Sequence, residues 1–390
     1  MDSLRNILAD KRSENNGIKA KGRMHRGWIK KTFYFLLPLF VIYIFLVVCQ
    51  DIAVKPGSLK EQCDGSDVKK VLLLTYARSG STFSSELFNQ HPDVFYSFEP
   101  LITIDIPMFT QVTGNILSNQ NNLAVVGKLQ YSCPEIQDII NSVFACNIHR
   151  LSKSAMFHNF WMMKGSLTDV YRNCFIHGPR TWKPSNCLAN NCMKSSIITV
   201  KTILLRMSVT KSLLRHHPQL KIIHLVRDPR GILMSRWKTF TNYGVINATL
   251  IEREARELCA KMLTDIELRD EISKKYKTTF FPLRYEDLAE DPLSHANEIY
   301  RFVNISFHDN VKEWLTKNHE MQDGKFGTRR HNARETSYRW RHTIPQDIAS
   351  IIDDACVHVY DKLGYKRVQS LDDLRNDSYS LRVKEYRVTL

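Results

Sequence analysis

The feature that most constrains this chain is Val71-Leu72-Leu73-Leu74-Thr75, a short continuous apolar run, followed after Tyr76 by Ala77-Arg78-Ser79-Gly80-Ser81. An apolar run without polar alternation is the signature of a strand covered on both faces. Ala77 to Ser81 then turns into a helix-like stretch, Ser81 to Gln90. Runs of the same kind recur at Val94 to Phe98, Ile197 to Val200, Ile222 to Val226 and Thr279 to Leu283. Helical patterns lie around Ser208 to His216, Gly231 to Phe240 and Glu252 to Lys275, and Asp347 to Leu363 spaces Ile348, Ile351, Ile352, Ala355, Val359 and Leu363 as one amphipathic face. Strands alternating with helices predict an α/β domain built on a parallel sheet.

The chain is long enough, at 390 residues, for one large or two ordinary domains. Its 43% hydrophobic and 24% charged content excludes wholesale disorder, collagen and a polytopic membrane protein. The formal charge of +15 favours anionic partners. Nine of the 55 basic residues and three of the 40 acidic ones precede Thr32, so residues 1–31 form a basic tail and a balance of +9 remains beyond it. Residues 32–50 follow as an uncharged run of 19, close to the roughly 20 residues that a membrane-spanning helix needs. The run is longer than the core of a signal peptide and has no small-residue cleavage pattern after Val48. It therefore reads as an uncleaved anchor, and the positive flank predicts a cytosolic tail with the rest in the lumen, a single-pass type II membrane protein. Residues 51–70 read as a polar stem and 71–390 as the luminal domain.

Luminal placement changes the meaning of the cysteines. Eight of the nine lie beyond the anchor, an even count that suits disulfides in an oxidising compartment. Cys174, Cys187 and Cys192 cluster, yet no second pair of Cys or His completes a zinc set at finger-like spacing, so no metal is expected. Cys49, within the anchor, is placed to link two chains into a homodimer or to be acylated. Asn247, Asn304 and Asn376 carry glycosylation sequons. Leu101 to Ser196, weakly periodic and rich in cysteine, is expected to be an elaborated, disulfide-braced insertion facing a ligand, with a merely irregular peripheral layer as the alternative.

Two loops carry the chemistry. Arg78-Ser79-Gly80-Ser81-Thr82 lies between a buried strand and a helix, where backbone N–H groups and the positive helix end attract an anion. Ser81 and Thr82 are alternatively simple helix caps. The loop lacks GxxxxGK[ST], so Arg78 would have to supply the charge that a lysine supplies in an ATP-type P-loop; a tight turn without a phosphate is the alternative reading. In Leu225-Val226-Arg227-Asp228-Pro229-Arg230-Gly231, Arg227 can fork onto a phosphate, Pro229 opens a helix and Ser235 lies on its inner turns. The competing reading pairs Arg227 with Asp228 at the surface.

The two loops together resemble the 5′-phosphosulfate and 3′-phosphate loops of Golgi carbohydrate sulfotransferases. LFNQHPDVFYSFEPL at Leu87 to Leu101, RYEDL at Arg284 to Leu288, KFGTRR, and Arg339-Trp340-Arg341 are similar to the galactose/N-acetylglucosamine/N-acetylgalactosamine 6-O-sulfotransferase family. VRDPRGIL and DKLGY point within it toward keratan sulfate-type acceptors. The resemblance runs from Val71 to about Tyr365 except for Leu101 to Ser196. It implies the sulfotransferase fold, a P-loop-like parallel sheet flanked by helices, and a sulfuryl transfer from 3′-phosphoadenylyl sulfate (PAPS) to the 6-hydroxyl of galactose or an N-acetylhexosamine in a glycan or proteoglycan.

It also implies residue roles. Arg78 and the amides of Ser79, Gly80, Ser81, Thr82 and Phe83 would hold the 5′-phosphosulfate, and Arg227 with Ser235 the 3′-phosphate. Lys201 would steady the bridging oxygen, and Glu99 would be the base, with His91 and His224 as alternatives. The loop Gly324 to Arg330, including Arg329, has a composition suited to closing over the adenine and a phosphate. Glu286 and Asp287 read as a strand end and helix cap rather than a metal pair. A metal-dependent Golgi glycosyltransferase is disfavoured by the lack of D-x-D, and nucleic acid by luminal placement. A noncatalytic luminal glycan-binding protein is the third alternative.

Overall fold

The computed structural model describes residues 68–101, 133–152, 155–156, 170, 173–175, 183–240, 246–317 and 333–383. The expected tail and anchor, nearly all of the stem, and the loop with Arg329 lie outside the described residues. Among the described residues no helix is long and apolar enough to cross a membrane.

Five parallel strands form the sheet: β1 (Lys69–Leu74), β2 (Val94–Phe98), β3 (Ile197–Thr202), β4 (Lys221–Val226) and β5 (Phe280–Arg284), in the order β2-β3-β1-β4-β5. The helices are α1 (Ser81–Asn89), α2 (Cys133–Phe144), α3 (Pro184–Lys194), α4 (Met207–His216), α5 (Pro229–Phe240), α6 (Ala248–Lys275), α7 (Tyr285–Glu290), α8 (Pro292–Val303), α9 (Asp309–Lys317), α10 (Ala333–Tyr338), α11 (Gln346–Leu363) and α12 (Leu371–Arg375). A 3-10 turn, Arg339–His342, joins α10 toward α11.

Leu72 and Leu74 at the sheet centre have no exposed surface, as expected for a strand covered on both faces. Strand β1 begins at Lys69 rather than Val71, because Lys69 and Lys70 extend the ladder onto Ile197 and Ile198 of β3. At the entering end of a strand their ammonium groups still reach Asn304 O and His217. The first strand thus begins two residues before the boundary expected at Val71.

Crossover handedness sorts the helices. The step from β1 to β2 runs one way across the sheet, while β2 to β3, β3 to β4 and β4 to β5 run the other, so right-handed connections put α1 on one face and α2, α4 and α6 on the opposite one. The packing agrees: α2 lies against α4 and α4 against α6, whereas Phe88 of α1 stacks on Tyr300 of α8.

The expected insertion is only partly one. Ile136, Ile140, Val143 and Phe144 place an apolar stripe of α2 in the core against β3, so this segment contributes a structural layer rather than a purely ligand-facing elaboration. The bracing holds: Cys146 bonds Cys192 and Cys174 bonds Cys187. A third disulfide, Cys259–Cys356, ties α6 to α11, whose Ile348, Ile352, Val359 and Leu363 are buried as the amphipathic spacing predicts. The side chains of Cys63 and Cys133 lie outside the described residues.

Candidate active site

Because the sheet is parallel, all its strands end at one edge, and each delivers a polar or aromatic side chain there: Arg78 after β1, Glu99 after β2, Lys201 near the end of β3, Arg227 after β4 and Tyr285 after β5. The edge beyond the carboxyl ends of the strands is where ligands bind in open α/β sheets.

The first loop is a tight turn. Ser79 donates from both its amide and its hydroxyl to Tyr76 O, at 3.1 and 2.6 Å. Arg78 and Gly80 take positive φ angles of 71° and 85°. Gly80 caps α1, and no side chain bonds the helix start, so neither Ser81 nor Thr82 acts as the cap. The amides of Ser81, Thr82 and Phe83 therefore have no intrahelical acceptor and sit at the positive end of the helix dipole. A Cβ on Gly80 would lie 2.2 Å from the Tyr285 ring, so the aromatic side chain is seated directly on the glycine.

The second loop is joined to the first. Arg78 Nε donates to Ser235 Oγ at 3.1 Å, and Arg227 NH1 donates to Arg78 O at 3.0 Å. Arg227 is 6% exposed, and its NH2 reaches Thr336 O and Ser337 O in α10. Its guanidinium stacks over Tyr285, 4.9 Å from the ring centre. The expected alternative, an Arg227–Asp228 surface pair, does not form. Asp228 instead accepts from Arg230 at 2.9 and 2.7 Å, and Arg230, fully buried, also holds Asp353. Burial opposes the Arg230 charge, but Asp228 and its other partners outweigh it and raise its pKa.

Glu99 and Lys201, assigned separate roles from the sequence, form one buried ion pair. They are 1% and 2% exposed, and Lys201 also lies 4.3 Å from the centre of the Phe98 ring. Glu99 has a positive φ of 47°, and its second oxygen accepts from Ile203 N at 3.0 Å. Burial lowers the Lys201 pKa; Glu99 opposes this shift and the nearby Arg78 charge adds to it. Arg78 and Glu99 thus occupy a sparsely populated backbone region, which costs of order 1–3 kcal/mol each and clusters at functional sites.

A family model described as the sulfotransferase domain matches residues 68–364. Carbohydrate sulfotransferase 1 of Rattus norvegicus is 30% identical over 357 residues, spanning 80% of this chain and 82% of that protein. This chain belongs to the carbohydrate sulfotransferase family. The sulfotransferase is also 27% identical to carbohydrate sulfotransferase 4 of Mus musculus over 350 residues, 80% of this chain and 85% of that one. Against the solved sulfotransferase domain from the curacin biosynthetic pathway the TM-score is 0.40 at 14% identity, covering 75% of this chain and 97% of that one.

The two histidines weighed as bases are placed elsewhere in the sulfotransferase. His91 precedes β2, at the end opposite Glu99, and bonds Ser306 O while accepting from Asp93 N. His224 lies within β4, fully buried against Tyr76 and Arg269, and burial holds it well below the ordinary histidine range. Glu286 and Asp287 serve different networks: Glu286 accepts from Asp228 N and Tyr365 OH, while Asp287 pairs with Arg284 and Arg382. Tyr285 is the residue that the sequence reading passed over. It sits inside RYEDL, and only its tertiary seat on Gly80 and beneath Arg227 reveals a role.

Proposed function

We propose that this enzyme transfers the sulfuryl group of PAPS to the 6-hydroxyl of a galactose or N-acetylhexosamine residue, with keratan sulfate-type glycans as preferred acceptors. The observation that carries the reading is the Glu99–Lys201 pair at the same sheet edge as the two coupled loops. Arg78 and the amides from Ser79 to Phe83 hold the 5′-phosphosulfate. Arg227 and Ser235 hold the 3′-phosphate; the buried Arg227 Nε, which has no partner, fits this role.

The sugar oxygen attacks sulfur, and the bond from sulfur to the bridging phosphate oxygen breaks. The hydroxyl proton passes to Glu99, whose carboxylate keeps acceptor capacity beyond Lys201 and Ile203 N. Lys201, with three rotatable donors, neutralises the oxygen that leaves. Arg329, in a stretch whose glycine, aromatic and basic composition suits a nucleotide, contributes its cation to donor binding.

The type II arrangement in the Golgi membrane is part of the same proposal. The basic tail before an uncharged run and the disulfides among the described residues support it. The +9 balance beyond residue 31 suits an anionic glycan.

The test offers labelled PAPS to the membrane-embedded full chain with keratan, chondroitin and N-acetylglucosamine-terminated acceptors. Glu99→Gln is expected to lower kcat by about 10²–10⁴-fold, the range for a lost general base, while retaining donor binding. Arg78→Ala is expected to lose donor binding. Wild-type turnover by Glu99→Gln would move the base elsewhere, and a wild type that binds no donor would overturn the reading.

A further inference from the structure

The interior behind the first loop holds a chain of hydrogen bonds that the transfer reaction does not itself use. Tyr76, His224, Asp265 and Arg269 are at most 1% exposed, although every one of them is polar or ionisable. Arg269 NH1 lies 3.5 Å from His224 Nδ1, His224 Nε2 lies 3.1 Å from Tyr76 OH, and Tyr76 OH lies 3.2 Å from Asp265 Oδ2. Elimination sets the direction. A guanidinium only donates, so Nδ1 accepts and Nε2 carries the proton of the neutral imidazole. The phenol takes that bond and donates its own hydrogen to the carboxylate. Burial and the Arg269 charge keep His224 neutral, and burial with Asp265 keeps the phenol protonated. The chain ends at Asp265, whose other oxygen accepts from Arg206 Nε and Met207 N, both at 3.1 Å. A buried network satisfied in this way is rigid and specifies one arrangement.

Asp265 stands on α6, yet its two oxygens serve the ends of two strands. One holds Tyr76, whose carbonyl receives the two Ser79 bonds that form the tight turn of the first loop. The other holds Arg206 and Met207, where the segment leaving β3 enters α4. The register between β1 and β3 runs only as far as Leu74 opposite Thr202, with Thr75 N donating to Thr202 O at 3.2 Å just beyond. Past that point both chains leave the sheet, and Asp265 bridges them. The two chains carry the two halves of the proposed reaction: the loop with Arg78 on one, Lys201 with its partner Glu99 on the other.

We propose that Asp265 is a positioning residue for sulfuryl transfer: by gripping Tyr76 with one oxygen and the start of α4 with the other, it fixes the separation between the donor loop and the Glu99–Lys201 pair. The inference rests on the function proposed above and gives a role to a carboxylate that lies wholly in the interior. What Asp265 controls is the separation rather than the affinity of either half. Group transfer is sensitive to that quantity, since a misplacement of about 1 Å costs about 10²-fold.

The experiment measures kcat with PAPS and a keratan acceptor, and calorimetric affinity for adenosine 3′,5′-bisphosphate, in the full chain carrying Asp265→Asn, Tyr76→Phe or both. Asparagine keeps the oxygen that faces Arg206 and Met207 but turns an NH2 toward a phenol that already accepts from His224, so the phenol loses its acceptor. Asp265→Asn is expected to lower kcat by about ten- to a hundredfold, with bisphosphate affinity unchanged. Tyr76→Phe is expected to act in the same direction, and the double variant to be no slower than the slower single one, because both break one link. Wild-type kcat in Asp265→Asn would overturn the inference. So would additive losses in the double variant, or a kcat that falls together with donor affinity, which would mark general loosening of the site. A wild type that binds no donor or transfers no sulfuryl group would overturn the proposed function as well. Should Asp265→Asn fail to fold, as judged by thermal melting, Arg206→Met, whose side chain is 40% exposed, breaks one bond on the α4 side and carries the same comparison of kcat with affinity.

Discussion

At Gly80 a single hydrogen stands where any other residue would place a carbon 2.2 Å from the Tyr285 ring, at a φ of 85°. For alanine the left-handed conformation alone costs roughly 1–2 kcal/mol, and the ring must also move. Tyr285 cannot move privately, because it packs edge-on against Phe83 and supports the Arg227 guanidinium. Gly80→Ala is therefore expected to weaken donor binding at both phosphate loops and to lower the melting temperature; unchanged affinity for adenosine 3′,5′-bisphosphate would refute the coupling. Lys261 gives a pH-dependent case. Burial pushes its pKa down to about 8, with Arg206 and Arg236 acting in the same direction and Asp265 opposing. Below about 8 both folded and unfolded chains hold the proton, and the penalty is fully present. Above it the folded state releases the proton while the unfolded state keeps it until near the ordinary lysine value, so this residue's contribution to stability rises with pH across that window. Lys261→Met should then be more stable than wild type at pH 7, by about 1–2 kcal/mol after allowing for solvent that still reaches the side chain. The gap should close toward pH 10. Denaturant melts across that range check it, and a gap independent of pH would show that packing rather than charge sets the difference.

Between elements, the disulfides are unequal. Cys259–Cys356 closes a sequence separation of 97 and joins α6 to α11, whereas Cys174–Cys187 closes only 13. Loop-closure entropy predicts that the longer link contributes more, about 4–5 kcal/mol against about 3 kcal/mol in the chain-entropy model. Helix α11 also carries Asp353, which holds Arg230 at the base of the second loop. The double variant Cys259→Ala/Cys356→Ala is expected to melt lower than Cys174→Ala/Cys187→Ala and to lose donor affinity with it. Equal melting shifts would mean that packing of α6 on α11 already fixes the register. Strands and long helices of this domain were legible because their apolar runs are continuous or helically spaced: β2 is found from Val94 to Phe98 as read, and α11 buries the stripe from Ile348 to Leu363. Helix α2 carries a helically spaced stripe of Ile136, Ile140 and Val143, but it is one short stretch within the long, otherwise weakly periodic segment from Leu101 to Ser196. The candidate residues could be placed one by one but not in their pairing. Arg78, Glu99 and Arg227 stand after strands and Lys201 near the end of one, as the apolar runs indicate, while the roles proposed for Glu99 and Lys201 come from the resemblance. That Glu99 would hold Lys201 depends on β2 lying beside β3, and the support of both loops by Tyr285 depends on β5 reaching the same edge; neither adjacency is written locally.

At the scale of the whole molecule, chemistry and compartment constrain each other. The proposed luminal placement joins the two: disulfides suit an oxidising compartment, and the excess of Lys and Arg before residue 32 would set that orientation for a span over 32–50. The three sequons give an independent reporter. Asn247, Asn304 and Asn376 are all exposed, and each lies at a helix boundary rather than inside an element. Asn247 caps α6 through its Oδ1, which accepts from Leu250 N at 2.9 Å and leaves the amide nitrogen to carry a sugar. Glycan at these positions can be attached only in the lumen. In sealed Golgi vesicles the folded domain is therefore expected to resist added protease until detergent is present, with only the basic tail removed. Peptide N-glycosidase should shift the protein, and the shift should vanish in the triple Asn→Gln variant. Digestion of the domain in intact vesicles, together with no glycosidase shift, would reverse the orientation. It would also remove the compartment in which the cysteines and a glycan acceptor make joint sense, leaving the phosphate loops as a donor-binding site in search of a cytosolic substrate.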